Sequence, residues 1–361
     1  MEIRRIFIMC TYNCNLHCSY CYEPTKFKRN INVDKLKLAL KDEFKLKFDG
    51  FILTFHGGEP FLAFDAIKNI CEWVWSEYPD KNIKCAVTTN GTVLSDSIKS
   101  WLNNNLTRFH VGLSIDGKPE THNRHRDNSF YNIDFDFFRT LHKPSAKMTV
   151  HPESVNQMFE NFLYVQQMGF DVSISPAMET EWSQEALSHY GIQLKLLADY
   201  QLSHTDNDLL SIFHYRLEKF SEIHPGSRWN CGTGYYEVAY DINGCQRLCH
   251  AFISDFKSKW RNMDKIVSVI RNSSAAVELT ECKGCALLRA CSPCIGLNYI
   301  NRGSISSVYP SFCLLTKIGM RITAYLYANA LVQAEQYVWL RDLDSTKKAM
   351  ICQGIKHVLK I

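Results

Sequence analysis

Cys14, Cys18 and Cys21 stand at spacings of four and three in C-N-L-H-C-S-Y-C, directly after a short apolar run. Thiolate is a soft ligand, suited to zinc or to iron–sulfur clusters. A four-iron, four-sulfur cluster takes a thiolate on every iron when fully ligated. Three cysteines hold three irons and leave the fourth open, so C-x3-C-x2-C suits a cluster with one reactive corner. Tyr20, just before the last of them, is an aromatic that could lie against a bound nucleoside. The alternative is a structural zinc knuckle, which needs a fourth ligand such as Cys10 or His17.

A second concentration of thiols lies far down the chain. Of fifteen cysteines, four fall before residue 22, eight lie from Cys231 to Cys313, and only Cys71, Cys85 and Cys352 lie elsewhere. In a reducing compartment such density means metal or catalysis before disulfides. The order is Cys231, Gly244, Cys245, Cys249, then Cys282-x2-Cys285-x5-Cys291-x2-Cys294, then Cys313. Eight cysteines exceed what one metal site can use, and two zinc sites are the plain alternative to clusters. Cys10, Cys71 and Cys85 fall in apolar runs and read as small buried hydrophobes.

The elements that must carry these residues alternate. Apolar runs of strand length occur at Ile3–Met9, Phe51–Phe55, Lys84–Thr88, Phe109–Ile115, Ala146–Val150 and Val172–Ser175. Between them apolar residues recur at helical spacing, as in Leu36, Leu40 and Phe44 behind a possible cap at Asp34. Six strands, each followed by a helix, predict a parallel sheet, either open or curled into a partial barrel. In such folds the site forms on loops at the C-terminal ends of the strands, where the three-cysteine loop lies. Ala186–Phe220 reads as one or two long helices and Ile318–Leu340 as helix. From about residue 225 Gly, Cys and Asn replace the alternation, the texture of a smaller domain organised by metal.

At 361 residues the chain can bury a sizeable core, and 46% apolar with 22% charged residues is a globular composition. A net charge of +4 is too mild to argue for nucleic acid. The run Lys26-Phe27-Lys28-Arg29 reads as a solvated loop. No signal peptide and no apolar run of transmembrane length are apparent, so no membrane partner and a cytoplasmic location are expected.

The first motif resembles the signature of the radical S-adenosylmethionine (SAM) superfamily, C-x3-C-x-aromatic-C after the first strand of a partial (β/α)6, TIM-like barrel. The resemblance implies a [4Fe-4S] cluster on Cys14, Cys18 and Cys21, whose open iron chelates S-adenosyl-L-methionine. It also implies reductive cleavage to a 5′-deoxyadenosyl radical. Three further stretches are similar to family motifs. His56-Gly57-Gly58-Glu59-Pro60 resembles G-G-E-P, where backbone and Glu59 would meet the SAM ammonium. Thr89-Asn90-Gly91 resembles the T-N-G turn. Ser114-Ile115-Asp116-Gly117, followed by His122 and Arg126, resembles S-x-D-G with H-D-x-x-R, although Asn123 replaces the usual Asp. Ser114 and Arg126 would then lie near the SAM ribose or carboxylate.

The later cysteines resemble the SPASM extension, which holds two auxiliary four-iron clusters. Carried over, Cys231, Cys249 and Cys294 would bind the first, and Cys282, Cys285, Cys291 and Cys313 the second. Cys245 is additional and either supplies a fourth ligand or stays free; the last spacing is x2 where the family has x3. The implied layout is a barrel over 1–220, a SPASM domain over 221–325 and a helical segment over 326–361. SPASM proteins mostly modify peptides or proteins, so the implied function is oxidative modification or epimerisation of a ribosomal peptide. Flavodoxin or ferredoxin would donate electrons. Little chain precedes Cys14, so leader recognition is expected from the barrel or SPASM surface, from a separate protein, or not to be needed. Anaerobic sulfatase maturation is the rival activity, and a zinc-stabilised binding module the rival of another class. Sulfatase maturases carry an Asp directly after the Gly-linked cysteine; here His250 stands there, as a base or as a hydrogen-bond donor to cluster sulfur. Glu179 and Glu181, after the sixth strand, are candidate substrate contacts.

Overall fold

The computed structural model describes all residues except Met1, Pro24, Thr25, Glu179, 222–231, 254–279, Ser292 and Ile361. Cys231 and Glu179 therefore lie outside the described residues. The strands are β1 (Ile3–Thr11), β2 (Gly50–Gly57), β3 (Ile83–Thr89), β4 (Phe109–Ser114), β5 (Ser145–Val150), β6 (Asp171–Pro176), β7 (Glu237–Tyr240) and β8 (Gln246–Arg247). Their order in the sheet is β6-β5-β4-β3-β2-β1-β7-β8. β1 to β5 pair in parallel, β7 adds to β1 in parallel, and β8 returns antiparallel. This is the largely parallel α/β sheet that the strand–helix alternation predicts, with two extra strands drawn from the stretch that reads as irregular.

The helices before the second cysteine group are α1 (Val33–Glu43), α2 (Phe64–Glu77), α3 (Asp96–Asn104), α4 (Pro119–His125), α5 (Phe135–Thr140), α6 (Met158–Gln167) and α7 (Gln184–Ser203). After it come α8 (Ile295–Arg302), α9 (Pro310–Ala330), α10 (Val338–Arg341) and α11 (Ser345–Val358). Asn32, not Asp34, caps α1, its side chain accepting from the Lys35 N–H; Asp34 lies in the first turn, where its charge complements the helix dipole. The helix expected to run to Phe220 stops at Ser203. Beyond it Gln201 Oε1 accepts the Leu210 N–H at 2.9 Å and the chain continues in short 3-10 turns.

Contacts divide the chain into two compact units that do not follow the motif boundaries at 220 and 325. One comprises Met1–Lys147, Val165–Asp171 and Cys231–Ala275; the other comprises Met148–Tyr164, Val172–Asn230 and Ala276–Ile361. In the first, Ile6, Ile8, Leu53, Phe55, Val87 and Leu113 are buried on one face of the sheet. Alternation along each strand leaves Arg5, Phe7, His56 and Lys147 on the other face. In the second, Met320, Ala324, Ile351 and Ile355 of α9 and α11 pack with Leu217 and Leu287, and the partly buried Cys285 and Cys291 rest against this core.

One buried carboxylate ties the β7–β8 hairpin into the first unit. Glu43, at the end of α1, accepts from Arg4 Nε at 2.5 Å, from Arg4 Nη2 at 3.1 Å and from the Tyr240 hydroxyl at 2.7 Å. Gln246 Nε2 donates to it as well. Removing one partner of a buried pair strands the other charge, at about 3–5 kcal/mol. Glu43→Ala is therefore expected to lose roughly that much stability in chemical denaturation. Arg4→Met combined with Glu43→Leu should recover most of it; a Glu43→Ala loss under about 1 kcal/mol would contradict this role.

Candidate active site and cysteine centres

The three-cysteine loop has little secondary structure, and neighbouring loops satisfy its backbone. The Gly58 N–H donates to Thr11 O at 3.0 Å and the Glu59 N–H to Asn13 O at 2.8 Å. Asn90 Nδ2 donates to Asn15 Oδ1 at 3.0 Å, and Asn15 Nδ2 to Thr92 Oγ1 at 2.7 Å. On the α4 side the Ser19 N–H meets His125 O at 2.9 Å, and the His17 N–H meets Asp127 Oδ2 at 3.2 Å. The loops after β2, β3 and β4 thus clamp the loop after β1. Gly57 and Gly58 make this approach possible. A Cβ on Gly57 would sit 2.6 Å from Thr11 O, and one on Gly58 would sit 2.4 Å from Asn13 O and 2.8 Å from Cys14 Cβ.

Cys14, Cys18 and Cys21 are half-buried and near enough to perturb one another electrostatically. Burial is the largest influence on Cys18, pushing it up to about 11, and the Arg126 charge works against it. Lys26 Nζ lies 3.0 Å from Cys21 Sγ, so part of the basic run serves the thiols instead of solvent. Neither proposed zinc ligand joins them. Cys10 is buried in β1 with Sγ on Ile8 O at 3.6 Å, and the exposed His17 ring lies 3.5 Å from Asp127. Three soft donors, Cys14 and Cys18 costly to ionise alone and Cys21 backed by a lysine, fit a metal that supplies positive charge.

The other expected cofactor residues gather around this loop. Asp116 is buried and accepts from the Tyr20 hydroxyl at 2.5 Å and from Arg126 Nε at 2.8 Å, while the Arg126 guanidinium carbon lies 5.4 Å from the Tyr20 ring centre. Asp116 thus holds Tyr20 and Arg126 in place. The Ser114 hydroxyl has no hydrogen-bond partner among the described residues, which leaves it open to a ligand. His122 also belongs to this wall: the Asp116 N–H points at its Nδ1 at 3.4 Å, so its proton sits on Nε2, toward Ser129 Oγ at 3.1 Å.

Two expectations change. The Glu59 carboxylate spends most of its acceptor capacity inside the protein. It accepts from the Phe61 N–H at 3.0 Å, the Thr89 hydroxyl at 2.7 Å and the Asn90 N–H at 2.8 Å. Asn90 likewise spends its side chain inside the protein, on Asn15 and on the Thr92 N–H at 2.9 Å. Both brace the cysteine loop. Pro60 opens a short 3-10 turn and is buried.

His56 lies on the open face of the sheet, where Tyr22 stacks on it at 5.7 Å with its hydroxyl hydrogen-bonded to Nε2. His250 lies 5.9 Å from His56 and 4.9 Å from Phe7, ring centre to ring centre. Burial, then the Lys147 charge, holds His250 down at about 4; burial and the charges of His250 and Lys147 hold His56 at about 3. Both are neutral near pH 7, and the same burial makes each a weak base. Spacing does not single out Lys147, Tyr22 or Glu237. Lys147 pairs in register with Ser114, and Glu237, pushed up to about 6 chiefly by burial, approaches His250 Nδ1 to 3.8 Å.

In the second unit Cys282, Cys285, Cys291 and Cys313 line one cavity, with Leu287, Val308, Phe312 and Lys317 among its other walls. Burial first, then the other three thiols, pushes Cys291 up to about 12. Four converging thiols in an apolar pocket are a donor set for a thiolate-bound metal centre. Cys294 is not among these walls; it caps α8, with Sγ accepting the Leu297 N–H at 3.5 Å. A neighbouring cleft of about 360 Å³ shares Phe312 and Thr316 with this cavity and opens by Pro176 and Met178, which is ligand-sized. Glu181 is exposed, and so is Cys245 at the hairpin turn.

Comparison with known proteins agrees with this fold. Residues 8–176 match the family model of the Radical SAM superfamily. The cysteine-type anaerobic sulfatase-maturating enzyme of Clostridium perfringens (strain 13 / Type A) is 33% identical over 123 residues, 31% of this chain and 32% of that protein. The matched stretch spans about a third of the length of such curated relatives. Native anSMEcpe with bound AdoMet and Cp18Cys peptide superposes with a TM-score of 0.68 at 18% identity, over 91% of this chain and 99% of that one. Streptococcus suis SuiB bound to precursor peptide SuiA superposes with a TM-score of 0.59 at 16% identity, over 87% and 76%. Residues 8–176 are thus similar to the Radical SAM superfamily, and the fold is like that of anSMEcpe and SuiB. No helix among the described residues is long and apolar enough to cross a membrane.

Gly58→Ala tests the clamp. Its Cβ would collide with Asn13 and Cys14, so reconstituted protein should lose the iron held by the first loop while its far-UV circular dichroism stays unchanged. Full iron retention would show that the loop tolerates displacement.

Proposed function

We propose that the chain is a radical SAM peptide maturase, acting oxidatively on, or epimerising, a residue of a ribosomally made peptide. The observation that carries this is the pairing of two thiol sets: three cysteines clamped at the ends of parallel strands, and four more converging on a separate cavity. When bound, the cluster on Cys14, Cys18 and Cys21 supplies the electron that cleaves S-adenosylmethionine to the hydrogen-abstracting 5′-deoxyadenosyl radical.

The chain's own residues do the rest. Lys26 offsets thiolate charge at Cys21. Tyr20 and Arg126, held by Asp116, offer an aromatic face and a cation to a nucleoside bearing a carboxylate. Ser114 adds a free hydroxyl, and the backbone from His56 to Pro60 edges the same loop. His250, directly after Cys249, is the candidate base or a hydrogen-bond donor to cluster sulfur; burial holds it neutral and makes it a weak base, which suits the donor role. Cys282, Cys285, Cys291 and Cys313 would hold one auxiliary four-iron cluster, and Cys231, Cys249 and Cys294 would belong to a second. A flavodoxin- or ferredoxin-like protein would supply electrons. Likeness to anSMEcpe and SuiB, both solved with peptides, supports a peptide substrate.

A second reading, anaerobic sulfatase maturation, is favoured by the sulfatase-maturating relatives, with His250 standing where that group has an Asp. The test is to co-express the chain with a short peptide encoded beside its gene, and to weigh the peptide against a control carrying Cys14→Ala, Cys18→Ala and Cys21→Ala. Loss of two hydrogens that needs those cysteines means a cross-link or dehydrogenation. Unchanged mass with deuterium taken from heavy water means epimerisation. No difference from the control contradicts the peptide reading and moves sulfatase maturation to the front.

A further inference from the structure

We infer that Lys147 of β5 binds a carboxylate of the peptide substrate on the open face of the sheet, whether from an Asp or Glu side chain or from the C-terminus. The role deepens the peptide-maturase reading above and depends on it.

Strand register places the residues around Lys147. It pairs with Ser114, while Gly112 pairs with Ser145 and with Thr88. One step past the Phe55–Val87 pair, β2 and β3 set His56 beside Thr88. All of these share the open face, since Phe55, Val87, Leu113 and Ala146 between them are buried on the other. From His56 to Lys147 the face thus presents Thr88, Gly112 and Ser114, which are small. Even a Cβ added at Gly112 would come no closer than 3.6 Å to Thr88 Oγ1. The face is also concave. His250 rests against Phe7 of β1, four strand spacings from β5, which on a flat sheet would be roughly 19 Å. Exposed charges are largely screened beyond about 8–10 Å, yet the Lys147 charge acts on both His250 and His56. The sheet therefore curls around a hollow floored by small residues, with Lys147 on one side and the two histidines on the other.

Charge supplies an independent argument. The Lys147 ammonium has no hydrogen bond and no ion pair among the described residues. The buried carboxylates nearby are committed elsewhere, Asp116 to Tyr20 and Arg126, and Glu59 to Phe61, Thr89 and Asn90. Burial is the largest influence on Lys147 and the Arg126 charge the next; both hold the ammonium below the ordinary lysine range. The side chain is nevertheless accessible, as is His250 with 44% of its side chain exposed. Groups crowded by protein yet open to solvent are what a hollow presents. An ammonium that gives up hydration, faces a like charge and gains no partner marks a place where an anion binds. The anionic groups of an unmodified peptide at neutral pH are carboxylates. The carboxylate of S-adenosylmethionine is the other anion in reach, and Ser114 and Arg126 are the residues expected to take it.

The test uses the full chain, reconstituted anaerobically with iron and sulfide, and the short peptide encoded beside its gene, labelled for fluorescence anisotropy. The peptide is made unchanged, with each Asp or Glu turned to Asn or Gln singly, and with its C-terminus amidated. One neutralised version should bind the wild type roughly 10- to 100-fold more weakly, and which one it is names the source of the carboxylate. Lys147→Met should bind that version and the unchanged peptide alike, while Lys147→Arg, which keeps the charge, should keep the preference. Lys147→Met should also melt no lower than the wild type, because the lysine is desolvated without a partner. S-adenosylmethionine should change the reduced-cluster spectrum of Lys147→Met as it does that of the wild type. A wild type indifferent to every neutralised peptide overturns the role, and does so even if Lys147→Met fails to fold. A wild-type preference retained in Lys147→Met overturns it as well. A Lys147→Met spectrum that no longer responds to S-adenosylmethionine would assign the lysine to the cofactor instead. A peptide that the wild type neither binds nor modifies would remove the peptide reading and this role together. A peptide bound and modified equally by the wild type and Lys147→Met would remove the role alone.

Discussion

Glu59 is the joint on which the amino-terminal site rests. Its N–H holds the carbonyl of Asn13 in the cysteine loop, while its buried carboxylate takes donors from Phe61, Thr89 and Asn90. The ends of β1, β2 and β3 are thereby tied at one residue. A hydrogen bond to a charged group contributes about 1.5–3 kcal/mol, and three of them offset much of what it costs to bury the carboxylate. The consequence is pre-organisation. Cys14, Cys18 and Cys21 sit on a loop that is irregular yet held from several sides, so a cluster binding there need not first order the chain.

Glu43 does the corresponding work at the other edge of the sheet. It binds α1 and β1 to a hairpin too short to be stable alone, with β7 spanning four residues and β8 two. The hairpin in turn brings Glu237 close to Cys249 and His250. The second unit uses apolar packing instead: α9 and α11 build a core against which the turns bearing Cys285 and Cys291 rest. Two sites needing thiols are thus positioned by different means, one by buried carboxylates and one by a conventional hydrophobic core.

Much of this was legible in the sequence, and the exceptions share a cause. The six apolar runs mark β1 to β6 to within two residues, because strands buried against helices need continuous apolar faces. The three-cysteine loop was legible from its spacing, and the grouping of the four-cysteine cavity from the motif resemblance. The β7–β8 hairpin was not: Glu237-Val238-Ala239-Tyr240 is too short for alternation to show. Roles fixed by hydrogen-bond partners were also hidden. Glu59 and Asn90 read as ligand contacts and prove to be braces, and Lys26 reads as a solvated charge and faces Cys21. The helix past Ser203 fails because His204-Thr205-Asp206-Asn207-Asp208 is rich in side chains that compete for backbone hydrogen bonds.

The central claim is that Cys14, Cys18 and Cys21 hold a cluster with a corner open to S-adenosylmethionine. Electron paramagnetic resonance of the dithionite-reduced protein, with and without S-adenosylmethionine, tests it most directly. The account predicts an iron–sulfur signal whose shape changes when the cofactor is added, and no such change in the Cys14→Ala, Cys18→Ala, Cys21→Ala protein. A colourless protein holding zinc, or a spectrum indifferent to the cofactor, would contradict it.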